Sequence, residues 1–260
     1  MVTTTDTIFD AAKEIEGIKN WIRQWFAENG PEAGAVIGLS GGKDSTIVGR
    51  LLVDALGRNR VTGVLMPDGE QKDIGDSLEA ARLLGIRYYV VNIKAATAGL
   101  ISGIEEACGD GLKLGRDSLI NIPPRIRMSV LYAVAQSLPG GGRVVNTCNL
   151  SEDYIGYSTK YGDAAGDFSP CADFTVTQMK MIGDALGLPA ELVHKTPSDG
   201  LSGMSDEEKI GFSYETLDRY IETGECGDAD IKARIDRMHR ANLHKLKPIP
   251  KYSWRSERGD

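Results

Sequence analysis

Ile8, Ala11, Ile15, Ile18, Ile22 and Trp25 recur at steps of three and four, with polar and charged residues between them. That period is the apolar stripe of an amphipathic helix over about 5–28, ended by Asn29-Gly30-Pro31. The pattern then changes to Ala35-Val36-Ile37-Gly38-Leu39, a short continuous apolar run of the kind that forms a strand buried on both faces. A helix is expected over about 45–56, stopped at Gly57, and a second strand over 61–66. A helix over 74–84 ends just before Gly85, and the β-branched and aromatic stretch 87–93 reads as a third strand. Strands alternating with helices predict an α/β protein of three layers, a parallel sheet with helices on both faces. Further on, the pattern gives helices over 95–107 and 124–138, the second broken by Pro139-Gly140-Gly141-Gly142, and a fourth strand over 143–146. Residues 151–172 are rich in Gly, Asp, Ser and Tyr without a clear period, which predicts a long functional loop. Helices over 176–186, 214–223 and 228–241 precede an irregular, basic tail at 245–260. No repeat, low-complexity segment or linker divides the sequence, so 1–260 reads as one domain.

Composition narrows the function classes. The chain has 260 residues and a formal net charge of -7, and so few surplus cations disfavour a general binder of nucleic-acid backbones. Cys108, Cys148, Cys171 and Cys226 form no C-x-x-C pair, and the histidines are not at zinc-site spacings. No basic segment followed by an apolar run opens the chain, and no apolar stretch is long enough to span a bilayer. A cytoplasmic protein with free thiols and no membrane or nucleic-acid partner is expected.

The first chemistry lies between the first strand and the second helix, in Gly38-Leu39-Ser40-Gly41-Gly42-Lys43-Asp44-Ser45. Paired glycines let the backbone approach an anion, two hydroxyls can donate, and the helix start adds free N–H groups and a positive dipole end. Asp44 would repel phosphate unless it holds a Mg²⁺ that bridges to the phosphate oxygens. A Gly-Gly turn followed by an Asp-Ser helix cap would explain the segment more plainly. It is not a Walker A loop, because Lys43 precedes Asp44 and the glycine spacing is one residue short.

The segment resembles the SGGxDS loop of the ATP pyrophosphatases, which have the adenine-nucleotide α-hydrolase fold and cut ATP between its α- and β-phosphates. The second half of the chain is similar to one branch, the ammonia-dependent NAD synthetases. Asn146-Thr147-Cys148-Asn149-Leu150-Ser151-Glu152 and Gly156-Tyr157-Ser158-Thr159-Lys160-Tyr161-Gly162-Asp163 follow that family's signature in register. So do Gly166-Asp167, the Arg125-Ile126-Arg127-Met128 element, Lys195-Thr196-Pro197-Ser198 and His244-Lys245. The resemblance implies ATP binding by residues 38–45 together with Gln71, Thr147, Val176 and Ser198. It implies a Mg²⁺ between Asp44 and Glu152, and contacts to deamido-NAD from Arg125, Lys160, Asp167, His244 and Lys245. It also implies a homodimer. The departures are Val176, where the family often has an ATP-contacting Lys, Ser198 for the commoner Thr, and Pro123-Pro124 ahead of Arg125. Lys180 or Lys195 could restore the charge that Val176 lacks.

The implied reaction begins with the nicotinate carboxylate of deamido-NAD attacking the α-phosphorus of ATP. Ammonia then displaces AMP from the adenylate, giving NAD⁺. Ammonium has no lone pair, so a nearby carboxylate should take its proton, and Asp163 is the candidate beside Asp44 in the catalytic set. A single helix before the ATP loop leaves no room for a glutaminase domain, so free ammonia is the expected nitrogen source. A tRNA-modifying pyrophosphatase would need a catalytic Cys pair or a basic extension. A non-catalytic ATP sensor would have little use for the paired carboxylates.

Overall fold

The computed structural model describes residues 9–70, 74–195 and 205–252. Its first helix, α1 (Ala11–Asn29), is capped by Asp10 and buries Ile15, Ile18, Ile22 and Phe26. Strand β1 (Gly34–Gly38), helix α2 (Lys43–Leu56), β2 (Val61–Leu65), α3 (Ile74–Leu84), β3 (Arg87–Val90), α4 (Lys94–Cys108), α5 (Arg116–Ser137) and β4 (Gly142–Val144) follow. The four strands are all parallel, in the order β3-β2-β1-β4.

Strand alternation explains the layers. Ala35 and Ile37 of β1 and Val61 and Leu65 of β2 pack into a cluster with α1, α2, Met179 and Ile182. Val36, Val64 and Val144 point to the opposite face and pack on Met128, Leu131 and Ala135 of α5. Both faces are covered, as the continuous apolar runs require. The exception is edge strand β3, whose four residues are all exposed.

The remaining helices are α6 (Leu150–Ile155), α7 (Val176–Ala185), α8 (Ala190–Val193), α9 (Asp206–Ile210), α10 (Tyr214–Thr223) and α11 (Ala229–Leu246). Three expectations need correction. The stretch 151–172 is not one long loop: Asn149 caps α6 through Glu152 N–H, and Gly156, left-handed at φ 68°, ends it. Six residues are too few to show a helical period. The rest of the stretch is pinned by Asn146, whose Nδ2 donates to Asp163 O at 2.8 Å and whose Oδ1 accepts from Cys148 N–H and Ser169 Oγ. Secondly, α5 starts well before the expected 124 and carries Pro123 and Pro124 inside it. The carbonyls those prolines leave without a donor belong to exposed Leu119 and Ile120, where water can serve. Thirdly, Lys245 lies in the last turn of α11, not in an irregular tail. Among the described residues no helix is long and apolar enough to cross a membrane, and all four cysteines are free.

Candidate active site

The phosphate loop leaves the carboxyl end of central strand β1. Gly41 sits at φ +80°, and a Cβ there would come within 2.7 Å of Asp76 and Ser77 at the start of α3. Only glycine fits, because both the conformation and the approach exclude a side chain. The hydroxyls are organised locally: Gly42 N–H donates to Ser40 Oγ at 3.2 Å, Ser45 Oγ donates to Gly42 O at 3.2 Å, and the two hydroxyls lie 3.2 Å apart. Leu39 is buried in the main core, so its backbone alone faces the loop. Lys43 is buried too, with Nζ on Asp44 Oδ2 at 2.7 Å. Its sequence position suggested a phosphate contact, but its charge is spent on Asp44. Burial pulls the Lys43 ammonium down, and the opposing pull of Asp44, Glu152 and Asp206 leaves it above its ordinary value.

Asp44, Glu152 and Asp206 thus all act electrostatically on one ammonium. Glu152, from the first turn of α6, is pushed well above the usual carboxylate range by desolvation and then by the Asp44 charge. Asp206 also acts on both Lys43 and Glu152, and its own contacts are Tyr157 Oη at 3.0 Å and Lys209 Nζ at 3.9 Å. Asp44 Oδ1 is buried and accepts no hydrogen bond. A buried carboxylate oxygen without a partner, on a residue whose charge acts on a second carboxylate, is a surplus of negative charge and of acceptors. A hard divalent cation satisfies both. Among the described residues no three acidic, His or Cys side chains gather to ligate a metal by themselves. Asp44 and Glu152 are the residues that would hold such a cation.

The residues implied for the second substrate form two linked groups. Arg125 Nε donates to Lys160 O at 3.2 Å, Lys160 Nζ to His244 O at 2.8 Å, and Lys245 Nζ to Gly156 O and Ser158 O at 2.6 and 2.8 Å. Asp167 accepts from Val144 N–H at 2.7 Å and Tyr132 Oη at 3.1 Å, tying the loop to β4 and α5. Asp167 and Lys245 meet Asn146, Asp153 and Ser169 around a cavity of about 240 Å³. Beside it, Asp163 accepts Thr159 N–H at 3.0 Å, and its carboxyl is raised by the surrounding protein. Asp153 is raised to about 6, by burial first and by the Asp163 charge second.

Val176 has a packing role, being 1% exposed among Ile155, Ile210, Phe212 and Leu217. Its N–H donates to Ser151 Oγ at 2.9 Å. Thr147 follows β4 and is half-buried. Lys195 pairs with Asp76 beside the phosphate loop. Gln71 and Ser198 lie outside the described residues. Sequence reasoning missed Asp218 of α10, 3% exposed, which accepts from Ser151 Oγ and from both Thr177 N–H and Oγ1. It missed Asp206 and Tyr214 as well; the only signal was their capping context, Ser205 to Glu208 and Ser213 to Thr216.

Comparison with known proteins identifies the family. The chain is 42% identical over 215 residues to an NH(3)-dependent NAD(+) synthetase from Pyrococcus horikoshii, covering 82% of this chain and 79% of that protein. Among solved structures, an NMN synthetase from Francisella tularensis superposes with a TM-score of 0.85 at 29% identity, over 95% of this chain and all of that one. An NH3-dependent NAD synthetase from Campylobacter jejuni gives 0.74 at 25% identity, over 94% of this chain and all of that one. The NAD synthase profile matches residues 14–249, which span the phosphate loop, the Asp44–Glu152 pair and the Lys160–Lys245 cluster, and the chain belongs to that family.

Proposed function

We propose that the protein is a ligase that amidates deamido-NAD with ammonia at the expense of ATP, giving NAD⁺, AMP and pyrophosphate. The observation that carries this reading is the orphaned Asp44 Oδ1 opposite Glu152, at the mouth of a glycine loop on a helix N-terminus. The Gly41 and Gly42 amides with the Ser40 and Ser45 hydroxyls bind the pyrophosphate as it leaves. Asp44 and Glu152 would hold Mg²⁺, which would neutralise phosphate charge. Lys245, Asp167 and Arg125 position the second substrate so that its carboxylate lies in line with the α-phosphorus, and positioning supplies much of the rate. Asp163 binds ammonium and accepts its proton, so that NH₃ attacks the carbonyl of the adenylate. Ammonia as the nitrogen source is supported by the names of the relatives. Incubation with ATP, Mg²⁺, ammonium and deamido-NAD should give NAD⁺, AMP and pyrophosphate in equal amounts. ADP, or no turnover, would sink the reading. An Asp163→Asn protein with an unchanged rate at limiting ammonium would remove that residue from the mechanism.

A second reading concerns the substrate's size. The larger TM-score belongs to an NMN synthetase, 0.85 against 0.74. The corresponding substrate is the mononucleotide acid, which reacts through the same carboxylate but lacks the AMP half. Comparing kcat/KM for the mononucleotide and the dinucleotide under one set of conditions decides between them.

We also propose that the protein works in the cytoplasm as a homodimer through the β3–α4–α5 face. Tyr88, Tyr89 and Val90 of the edge strand are exposed, as are Leu100, Leu119 and Ile120, and α4 buries only Thr97 among its described residues. A wild type of dimer mass in light scattering and an Ile120→Glu variant of monomer mass are expected; a monomeric wild type would refute it.

A further inference from the structure

Tyr214 opens α10, and its backbone is fixed twice: Ser213 caps the helix, and Tyr214 N–H donates to Glu207 Oε1 at 2.8 Å. Its ring packs in the apolar cluster with Ile155 of α6 and Val176 of α7. The residue is 3% exposed, yet its hydroxyl makes no hydrogen bond. A buried polar group without a partner is uncommon in a folded protein and calls for an explanation.

The surroundings supply one. The charged and polar groups that act on this phenol are Glu152, Asp206, Tyr157 and Asp44, with burial the largest influence; together they keep it protonated, a donor at every physiological pH. Asp206 is engaged by Tyr157 and Lys209, and Asp44 by Lys43. A donor among carboxylates that reaches none of them is separated from them by a gap, and a bridging oxygen fills such a gap. Asp44 Oδ1, on one of the residues whose charge acts on this phenol, also lacks a partner. Two unpartnered buried atoms, one donor and one acceptor, thus belong to residues that both interact electrostatically with Glu152.

We infer that the Tyr214 hydroxyl donates to an oxygen in the shell of the divalent cation held between Asp44 and Glu152, and so acts as a positioning residue of that site. The oxygen is either a water of the cation or a phosphate oxygen of the nucleotide. The inference rests on the cation reading above. It implies an unusual pairing of effects: without ligand the hydroxyl has nothing to bond, so its removal does not destabilise the fold, while it does weaken the loaded state.

The test uses the full-length protein and its Tyr214→Phe variant. Mn²⁺ binding is followed by electron paramagnetic resonance, with the metal alone and with a non-hydrolysable ATP analogue, and thermal unfolding is followed in EDTA. The expected result is a Tm equal to or above wild type, with a Kd for Mn²⁺ raised about three- to tenfold. A rise with Mn²⁺ alone identifies a cation water as the acceptor; a rise only with the nucleotide identifies a phosphate oxygen. Equal Kd values in both arms overturn the inference and leave the cation site standing. A variant that unfolds, or a lowered Tm, also overturns it, since the hydroxyl then supports the fold. A wild type that binds no Mn²⁺ in either arm removes the cation reading and this inference together.

Discussion

Replacing Asp218 with Asn should destabilise the protein and loosen the cation site with little change in shape. Asp218 is 3% exposed and accepts three hydrogen bonds: Ser151 Oγ on Oδ1, and Thr177 N–H (2.8 Å) and Thr177 Oγ1 (2.7 Å) on Oδ2. The node joins α10 to the first turns of α6 and α7. An Asn can place its amide oxygen where Oδ2 was and keep both Thr177 bonds. Its NH₂ then faces Ser151 Oγ, which already accepts Val176 N–H at 2.9 Å, and the serine O–H loses its acceptor. The opposite orientation is worse, because NH₂ would face two donors. The better case loses one charge-assisted bond, about 1.5–3 kcal/mol, and weakens two others; relief from desolvating a carboxylate returns part of it. The net expectation is a loss of about 2–3 kcal/mol, with an Asp218→Ala protein losing more. Urea unfolding followed by far-ultraviolet circular dichroism measures it. A double-mutant cycle with Ser151→Ala should return a coupling of about 1–2 kcal/mol. Because Ser151 precedes Glu152, the Mn²⁺ concentration for half-saturation should rise as well. A stability loss below about 0.5 kcal/mol, or a coupling near zero, would show that the node does not hold these helices together.

Other expectations follow from single contacts. Gly41→Ala should abolish turnover and lower Tm, since its Cβ would sit 2.7 Å from Asp76 and Ser77 with φ at +80°; normal ATP-dependent activity in the variant would refute the tight-loop argument. Cys108 and Cys226, partly exposed, should react with a thiol reagent in the native protein, while buried Cys148 and Cys171, whose thiols burial pushes up, should react only on unfolding. Mass spectrometry of timed labelling counts them, and four fast thiols would contradict the burial. Asp153 has a folded value of about 6 against an ordinary 3.8, so its contribution to stability is full below 3.8 and is lost as pH rises through 6. In EDTA, wild type should therefore lose stability relative to Asp153→Asn between those values, by on the order of 1–2 kcal/mol after screening. A flat difference across that range would show that Asp153 is well solvated.

The sequence made the parallel sheet legible because two-sided burial leaves continuous apolar runs, and the long helices legible because α1 and α2 each span several periods. It made the phosphate loop legible because one short segment holds all its parts. The pairing of Asp44 with Glu152 was suggested only by a family resemblance, since 107 residues separate them and nothing in either neighbourhood announces the other. Asp218 and Tyr214 were not readable at all. Each matters through partners on other helices, and a lone Asp or Tyr on a helix face looks the same whether it faces water or a buried carboxylate. For Lys43 the resemblance implied an ATP contact shared by the whole loop, and the fold adds that its ammonium pairs with Asp44.

The short helix α6 gives the site its internal logic. Glu152 and Asp153 are adjacent on it, and one residue of helix turns the side-chain direction by about 100°. Glu152 therefore faces Asp44, Lys43 and Asp206, on the phosphate side, while Asp153 faces Asp163 and the 240 Å³ cavity with Lys245. The helix is too short to be stable alone and is held from outside at both ends. Asp218 reaches its start through Ser151, and at its end a Cβ on Gly156 would sit 2.1 Å from Asn242 of α11. A displacement of α6 must move Glu152, proposed for the ATP side, and the cavity-lining Asp153 together. Binding that orders one side therefore lowers the cost of ordering the other, which predicts that a non-hydrolysable ATP analogue with Mg²⁺ and the acid substrate each tighten the other's binding by the same factor. Isothermal titration of each in the presence and absence of the other measures that factor, and a value of one would mean that α6 is rigid without its ligands.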